Sequence, residues 1–205
     1  AKAMRLGWLR DYAAVPHNRD RPLSGFHSRR HGADQAVGYN KTAFVFFMLR
    51  DLVGEPSFRA ALRRFFRDHR LRVGGWQALR RSFEAETRTD LETFFTQWVE
   101  RPGAPLIEVV AAKRASGADG HRLSLALSQR GGAFRLLVPL RVGHEQGMTD
   151  TRVEILGDAA KAELAVPARP LWIEVDPDVR VFRRLHPEEI APTLRQVLID
   201  PDARV

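Results

Sequence analysis

The chain has no cysteine, so disulfides, thiol nucleophiles and thiolate metal ligands are all excluded from its chemistry. No stretch approaches the roughly 18 consecutive apolar residues of a membrane-spanning helix. No signal-peptide pattern opens the sequence, and the compartment stays open. Lysine is scarce: of 33 basic residues, 29 are arginine and 4 are lysine. That bias reflects a GC-rich genome more readily than a function. Acidic residues fall short of basic ones only in the first half. Residues 1–103 hold 19 basic and 11 acidic groups and the remainder 14 of each, so the whole net charge of +8 lies before residue 104. What is present is ordinary for a globular chain: 205 residues, 44% hydrophobic and 28% charged, enough for one large domain or two small ones.

Two periodicities divide the sequence. In the first half the apolar positions follow helical spacing. Met4 to Tyr12 predicts a helix ending before Pro16. A long loop follows, from Asn18 to Gly38. From Tyr39 a second helix carries Ala43, Phe46, Phe47 and Val53 on its apolar face, with Gly54 as C-cap. Pro56 opens a third, with Phe58, Leu62, Phe65, Phe66 and His69 as its buried stripe. After Gly74-Gly75, Trp76, Leu79 and Phe83 mark a short helix. Thr89 or Asp90 caps a further one, with Leu91, Phe94, Phe95 and Trp98 inward.

At Arg101-Pro102-Gly103-Ala104-Pro105 the pattern changes to alternation. Ile107-Val109, Leu123/Leu125/Leu127, Phe134 to Val142, Val153/Ile155, Leu164/Val166, Leu171/Ile173/Val175 and Val179-Phe182 make about seven short strands separated by Gly- and Asp-containing turns. That spacing is the signature of a β-sandwich. Pro139 inside one run predicts an edge or a bulge. Pro187-Glu188-Glu189 can start a last helix bearing Ile190, Leu194, Val197 and Leu198. The expected class is α+β: a helical subdomain over 1–103, a small antiparallel β-sandwich over 104–186, and a C-terminal helix or tail over 187–205. There is no internal repeat.

Two segments carry a resemblance. The first is Gly38-Tyr39-Asn40-Lys41-Thr42-Ala43-Phe44-Val45-Phe46-Phe47-Met48-Leu49-Arg50. The second is the tryptophan helix that stops at Trp98-Val99-Glu100-Arg101-Pro102-Gly103-Ala104-Pro105. In this order and spacing they resemble the region downstream of the zinc site in M1-family (gluzincin) aminopeptidases. The close Val175-Asp176-Pro177-Asp178 is similar to the end of that family's sandwich. The resemblance implies the end of a thermolysin-like catalytic domain followed by the sandwich, and a parent reaction that releases N-terminal residues from peptides with zinc-activated water. It also implies that Tyr39 donates a hydrogen bond to the oxyanion of the tetrahedral intermediate. The chain departs from the family pattern in three places. It has no His-Glu-x-x-His, and His144-Glu145-Gln146-Gly147-Met148 falls in a turn between strands. It has no Gly-x-Met-Glu-Asn. Thr42 stands where the family has glycine. The expectation is therefore a fragment, inactive alone, with no cofactor in this chain and zinc in the parent enzyme. Its partners are the missing catalytic portion and a peptide substrate.

Blander readings stand beside these. Without the family context, Tyr39 is a helix-start tyrosine with a packed ring and a wet hydroxyl, and Lys41 is a solvated first-turn residue. His17, His27 and His31 share one loop with Arg29, Arg30 and Asp34. They form a metal set or, more simply, line a cleft. Trp76, Trp98 and His69 read as core residues. Glu84 and Glu86 face different ways on a helix, so they make no acid/base pair. The arginines from Arg59 to Arg81 make a basic face. Such a face is solvated by default, and its rival role is binding nucleic acid or anionic lipid. A last alternative is a non-catalytic scaffold that docks other proteins through an exposed apolar patch.

Overall fold

The computed structural model describes residues 1–28, 34–117 and 120–190. Helix α1 (Lys2–Ala13) is followed by single 3-10 turns at His17–Arg19 and Leu23–Gly25. A π-helical turn, Gln35–Lys41, then runs without a break into α2 (Thr42–Val53). The helix thus begins before Tyr39, inside the stretch expected to be loop. Gly54, at φ +80°, closes α2 by donating to the Arg50 carbonyl, and α3 (Glu55–Asp68) starts with Pro56 in its first turn. Next come α4 (Trp76–Thr87) and the single turn α5 (Glu92–Phe95), which continues as a second π-helical turn, Thr96–Glu100. Asp90 starts α5 by accepting from the Glu92 backbone N–H at 2.8 Å.

Helix gives way to strand between Glu100 and Leu106. Six strands follow: β1 (Leu106–Gly117), β2 (Gly120–Arg130), β3 (Leu136–His144), β4 (Gly147–Ile155), β5 (Ala159–Val166) and β6 (Pro170–Val175). They form two antiparallel three-stranded sheets, β1-β2-β5 and β4-β3-β6. Alternation places Leu123, Leu125 and Leu127 of β2, and Leu136, Val138, Leu140 and Val142 of β3, in one shared core. The class is α+β, with helices leading and an antiparallel two-layer β unit following. Phe182 ties the halves together. Fully buried, its ring lies 4.6 Å from that of Tyr12, 5.6 Å from Phe44 and 6.2 Å from Trp98.

Four expectations are corrected. Pro139 is neither at an edge nor in a bulge, because β3 is the central strand of its sheet. Its carbonyl accepts from the Asp176 N–H at 2.8 Å. The two backbone groups of a strand residue point the same way, so the missing N–H falls just past the last β3–β6 pair, Leu140 with Val175. Val179-Phe182 is not a strand: the Asp176 carboxylate takes the N–H groups of Arg180 and Val181 at 2.6 and 3.3 Å. Phe66 is not on the buried stripe of α3 but 69% exposed. In α2 the deepest positions are Phe44, Val45 and Leu49, not the predicted Ala43, Phe46, Phe47 and Val53. Of the last helix only a 3-10 turn, Pro187–Glu189, is described. Leu194, Val197 and Leu198 lie outside the described residues.

Candidate functional site

The π-helical turn Gln35–Lys41 presents one side chain outward and fastens its neighbours inward. Tyr39 is 52% exposed, its ring edge-on to Phe26 at 5.5 Å. Before it, Gly38 lies flat against Phe26; a Cβ at that position would sit 2.3 Å from the ring. After it, buried Asn40 donates to Asp11 of α1 at 3.2 Å. Lys41 follows, fully buried. A π turn widens the helix and disturbs its regular hydrogen bonding. The Thr42 hydroxyl compensates by donating to the Gly38 carbonyl at 2.6 Å. That bond gives the departure from the glycine pattern a structural role.

Lys41 corrects the reading of a solvated first-turn residue. Its Nζ donates to the carbonyls of Arg101 at 3.0 Å and Gly103 at 3.4 Å, and lies 5.7 Å from the centre of the Phe182 ring. Burial lowers its pKa to about 8, opposed by the attraction of Asp20 and aided by Arg101. Asp20, its side chain only 5% exposed, brings the opposite charge. Its Oδ2 accepts from the Tyr12 hydroxyl and from the Gly103 N–H at 3.1 Å, and lies 3.6 Å from the Arg184 guanidinium. Its Oδ1 is buried without a hydrogen-bond partner. Burial first, and Asp20 second, push the Tyr12 hydroxyl well above its ordinary pKa.

The Pro-Gly exit after Trp98 is the surface on which this network closes. Gly103, at φ +90°, gives its N–H to Asp20 and its carbonyl to Lys41. The two motifs picked out in the sequence, 60 residues apart, therefore meet through the Lys41 and Arg101 contact. Trp98 packs 5.1 Å from Phe134, in the core as expected. Sequence reading missed Lys41, Asp20, Tyr12 and Asn40 as partners. The one available signal was a lysine just before an apolar run of an arginine-rich chain.

The other candidates separate from this site. Of the loop histidines, the side chain of His27 is described and exposed; His31, Arg29 and Arg30 lie outside the described residues. His144 is the last residue of β3, its ring bonded to Thr149 Oγ1 at 3.1 Å and to the Gln146 N–H at 3.3 Å. Among the described residues no three His, Asp or Glu side chains converge to hold a metal. These residues do not make a zinc site, and no step of chemistry is assigned through one. A cleft of about 410 Å³ between α2 and β3–β4 includes Met48, Leu52, Phe94, Leu137 and Arg152 in its lining; Tyr39 does not line it. No described helix is long and apolar enough to cross a membrane.

Comparison with known proteins points one way. No family model matches the chain. It is 27% identical over 97 residues to aminopeptidase N of Lactobacillus helveticus, a match covering 47% of this chain and 10% of that protein. Its fold is that of part of Legionella pneumophila aminopeptidase A, solved in complex with aspartic acid. The TM-score is 0.63 and the identity 15%, over 92% of this chain and 22% of that one. The chain spans about a tenth and about a fifth of these two proteins. The sequence match is to an aminopeptidase, and the solved structure, at 15% identity, supports the fold alone.

Proposed function

We propose that the chain is the portion of an M1-type zinc aminopeptidase that lies downstream of the metal site, and that Tyr39 is its contribution to catalysis. The substrate is a peptide with a free amino end. The partner is the zinc-bearing portion of the same enzyme. The observation that carries this reading is the solvent-facing phenol on a turn whose adjoining residues are all pinned. A donor aimed at developing oxyanion charge must be fixed before the reaction, since reorganisation is what such a site avoids. Phenol is a neutral donor, and π turns within helices are frequent at functional sites. The contacts of Gly38, Asn40 and Lys41 fix the turn that carries the phenol, which supports a role for it as a donor to a tetrahedral oxygen.

The test is Tyr39→Phe in the complete enzyme. The variant keeps the ring and its contact with Phe26 and loses only the donor, so kcat should fall on the order of 10²–10³-fold with KM nearly unchanged. An unchanged kcat would remove Tyr39 from the mechanism. The 205-residue chain alone, with zinc and aminoacyl-anilide substrates, should show no turnover above its own Tyr39→Phe control. Zinc-dependent turnover lost in that variant would refute the assignment of the metal site to polypeptide outside this chain.

A further inference from the structure

Beyond that reading, the far end of α3 carries a surface that the peptidase assignment leaves unused. After Asp68 the chain makes a tight turn, the Arg72 N–H donating to the His69 carbonyl at 3.0 Å. The base of the turn is anchored. His69 stacks on Phe65 at 4.8 Å, and Gly74 lies so close under both rings that a Cβ there would meet Phe65 at 2.7 Å. On this fixed base stand Leu71, 99% exposed, and Val73, fully exposed; Phe66, toward the end of α3, is 69% exposed. Leu71 also has φ +61°, a conformation that a leucine adopts only at a cost. Among the described residues no packing offsets that cost.

Charge flanks this apolar tip in the sequence. Arg63, Arg64, Arg67, Arg70 and Arg72 cluster here against the single acid Asp68, which pairs with Arg64 and Arg67 at 3.7 and 3.0 Å. Arg63, Arg70 and Arg72 have no ion pair among the described residues, and all three are exposed. We infer that this tip docks on an anionic lipid surface, with Leu71, Val73 and Phe66 entering the acyl boundary and the arginines at the level of the phosphates. Both halves of the pattern are needed for that choice. Leu71 and Val73, the most exposed of the three, are aliphatic and offer bases no stacking platform, and an apolar protein partner would bury unpaired guanidinium groups at high cost. A lipid headgroup layer accepts the charges and the hydrocarbon together.

Sedimentation of the purified chain with vesicles tests this, using phosphatidylcholine alone and phosphatidylcholine with about one-third phosphatidylserine, in roughly 0.1 M salt. The chain should partition onto the serine-containing vesicles only, and less so as salt rises. Replacing Arg63, Arg70 and Arg72 with Gln should weaken partitioning about 100-fold. Leu71→Ser with Val73→Ser should weaken it about tenfold. All five positions are exposed, so the thermal melting of both variants should match the parent. Equal binding to both vesicle types, or none, overturns the inference. So does unchanged binding by the Leu71/Val73 variant. Retention of duplex DNA by the chain, without retention on vesicles, would reassign the face to nucleic acid.

Discussion

A buried lysine with a lowered pKa leaves a signature in stability that no surface lysine leaves. Lys41 is fully buried, and its pKa falls from 10.5 to about 8, chiefly through desolvation. Between those two values the unfolded chain holds the proton and the folded chain does not. Stability must therefore rise with pH across that window. Below pH 8 both states are protonated and the folded state carries the full cost of the buried charge, roughly 3 kcal/mol. By pH 10 most of that cost is relieved. The comparison is with Lys41→Met, which keeps the stem and removes the titration. Urea unfolding of both proteins at pH 7, 8, 9 and 10 gives a difference from which the titrating groups not coupled to Lys41 cancel. Relative to the variant, the wild type should gain roughly 2–3 kcal/mol from pH 7 to pH 10. Loss of the bonds to the Arg101 and Gly103 carbonyls offsets the two curves but does not change their divergence. Parallel curves would show that Lys41 is solvated in the folded state, and the pinning of the Tyr39 turn would fall with it.

Gly38→Ala should cost about 1–3 kcal/mol, because the added methyl overlaps the Phe26 ring at 2.3 Å. In a chain of this length that is a melting-temperature drop of about 2–4 °C per kcal/mol, and Phe26→Leu in the same chain should recover part of it. Tyr12→Phe removes a donor from Asp20, whose other oxygen already lacks a partner, and should cost about 1–3 kcal/mol by denaturant unfolding. The Tyr12 pKa is raised in the folded state, so its stabilisation is complete below the unfolded value near 10 and lost as pH climbs beyond it. The alkaline fall in stability should therefore be shallower in the variant.

Much of the architecture could be read before any coordinates. Alternation at Leu123/Leu125/Leu127 and from Leu136 to Val142 marks strands that face a common core, and the Arg101-Pro102-Gly103 segment lies where helix turns to sheet. The misplacements share a cause: they occur where local pattern carries no directional information. From Ala43 to Leu49 every residue is apolar, so 3.6-residue spacing cannot choose a face, and burial from both sides selected Phe44, Val45 and Leu49. Phe66 follows Phe65 by one position, and one position is about 100° of rotation, enough to carry it from the stripe to the rim. Pro139 signals an edge only if its nitrogen faces a partner strand; here the facing strand has ended.

The candidate site was legible to a smaller extent, and for a physical reason. Tyr39 stood out through the resemblance of the Gly38 to Arg50 run to the aminopeptidase motif, yet what fixes its backbone is the π turn beneath it. Such a turn has no compositional signature, since it is imposed by what surrounds it. Here those constraints are Phe26 against Gly38, Asp11 on Asn40, and the Gly103 carbonyl on Lys41. Each joins positions 12 to 62 residues apart, beyond the reach of any local window. The same contacts explain why Lys41 reads as solvent-facing from spacing alone. A lysine two residues into a helix is ordinarily wet, and the carbonyls of Arg101 and of Gly103, whose φ of +90° suits glycine, give its ammonium a place in the interior. The exposed phenol and the buried ammonium are thus two outcomes of one backbone distortion, and a substitution that relaxes either should be felt at the other.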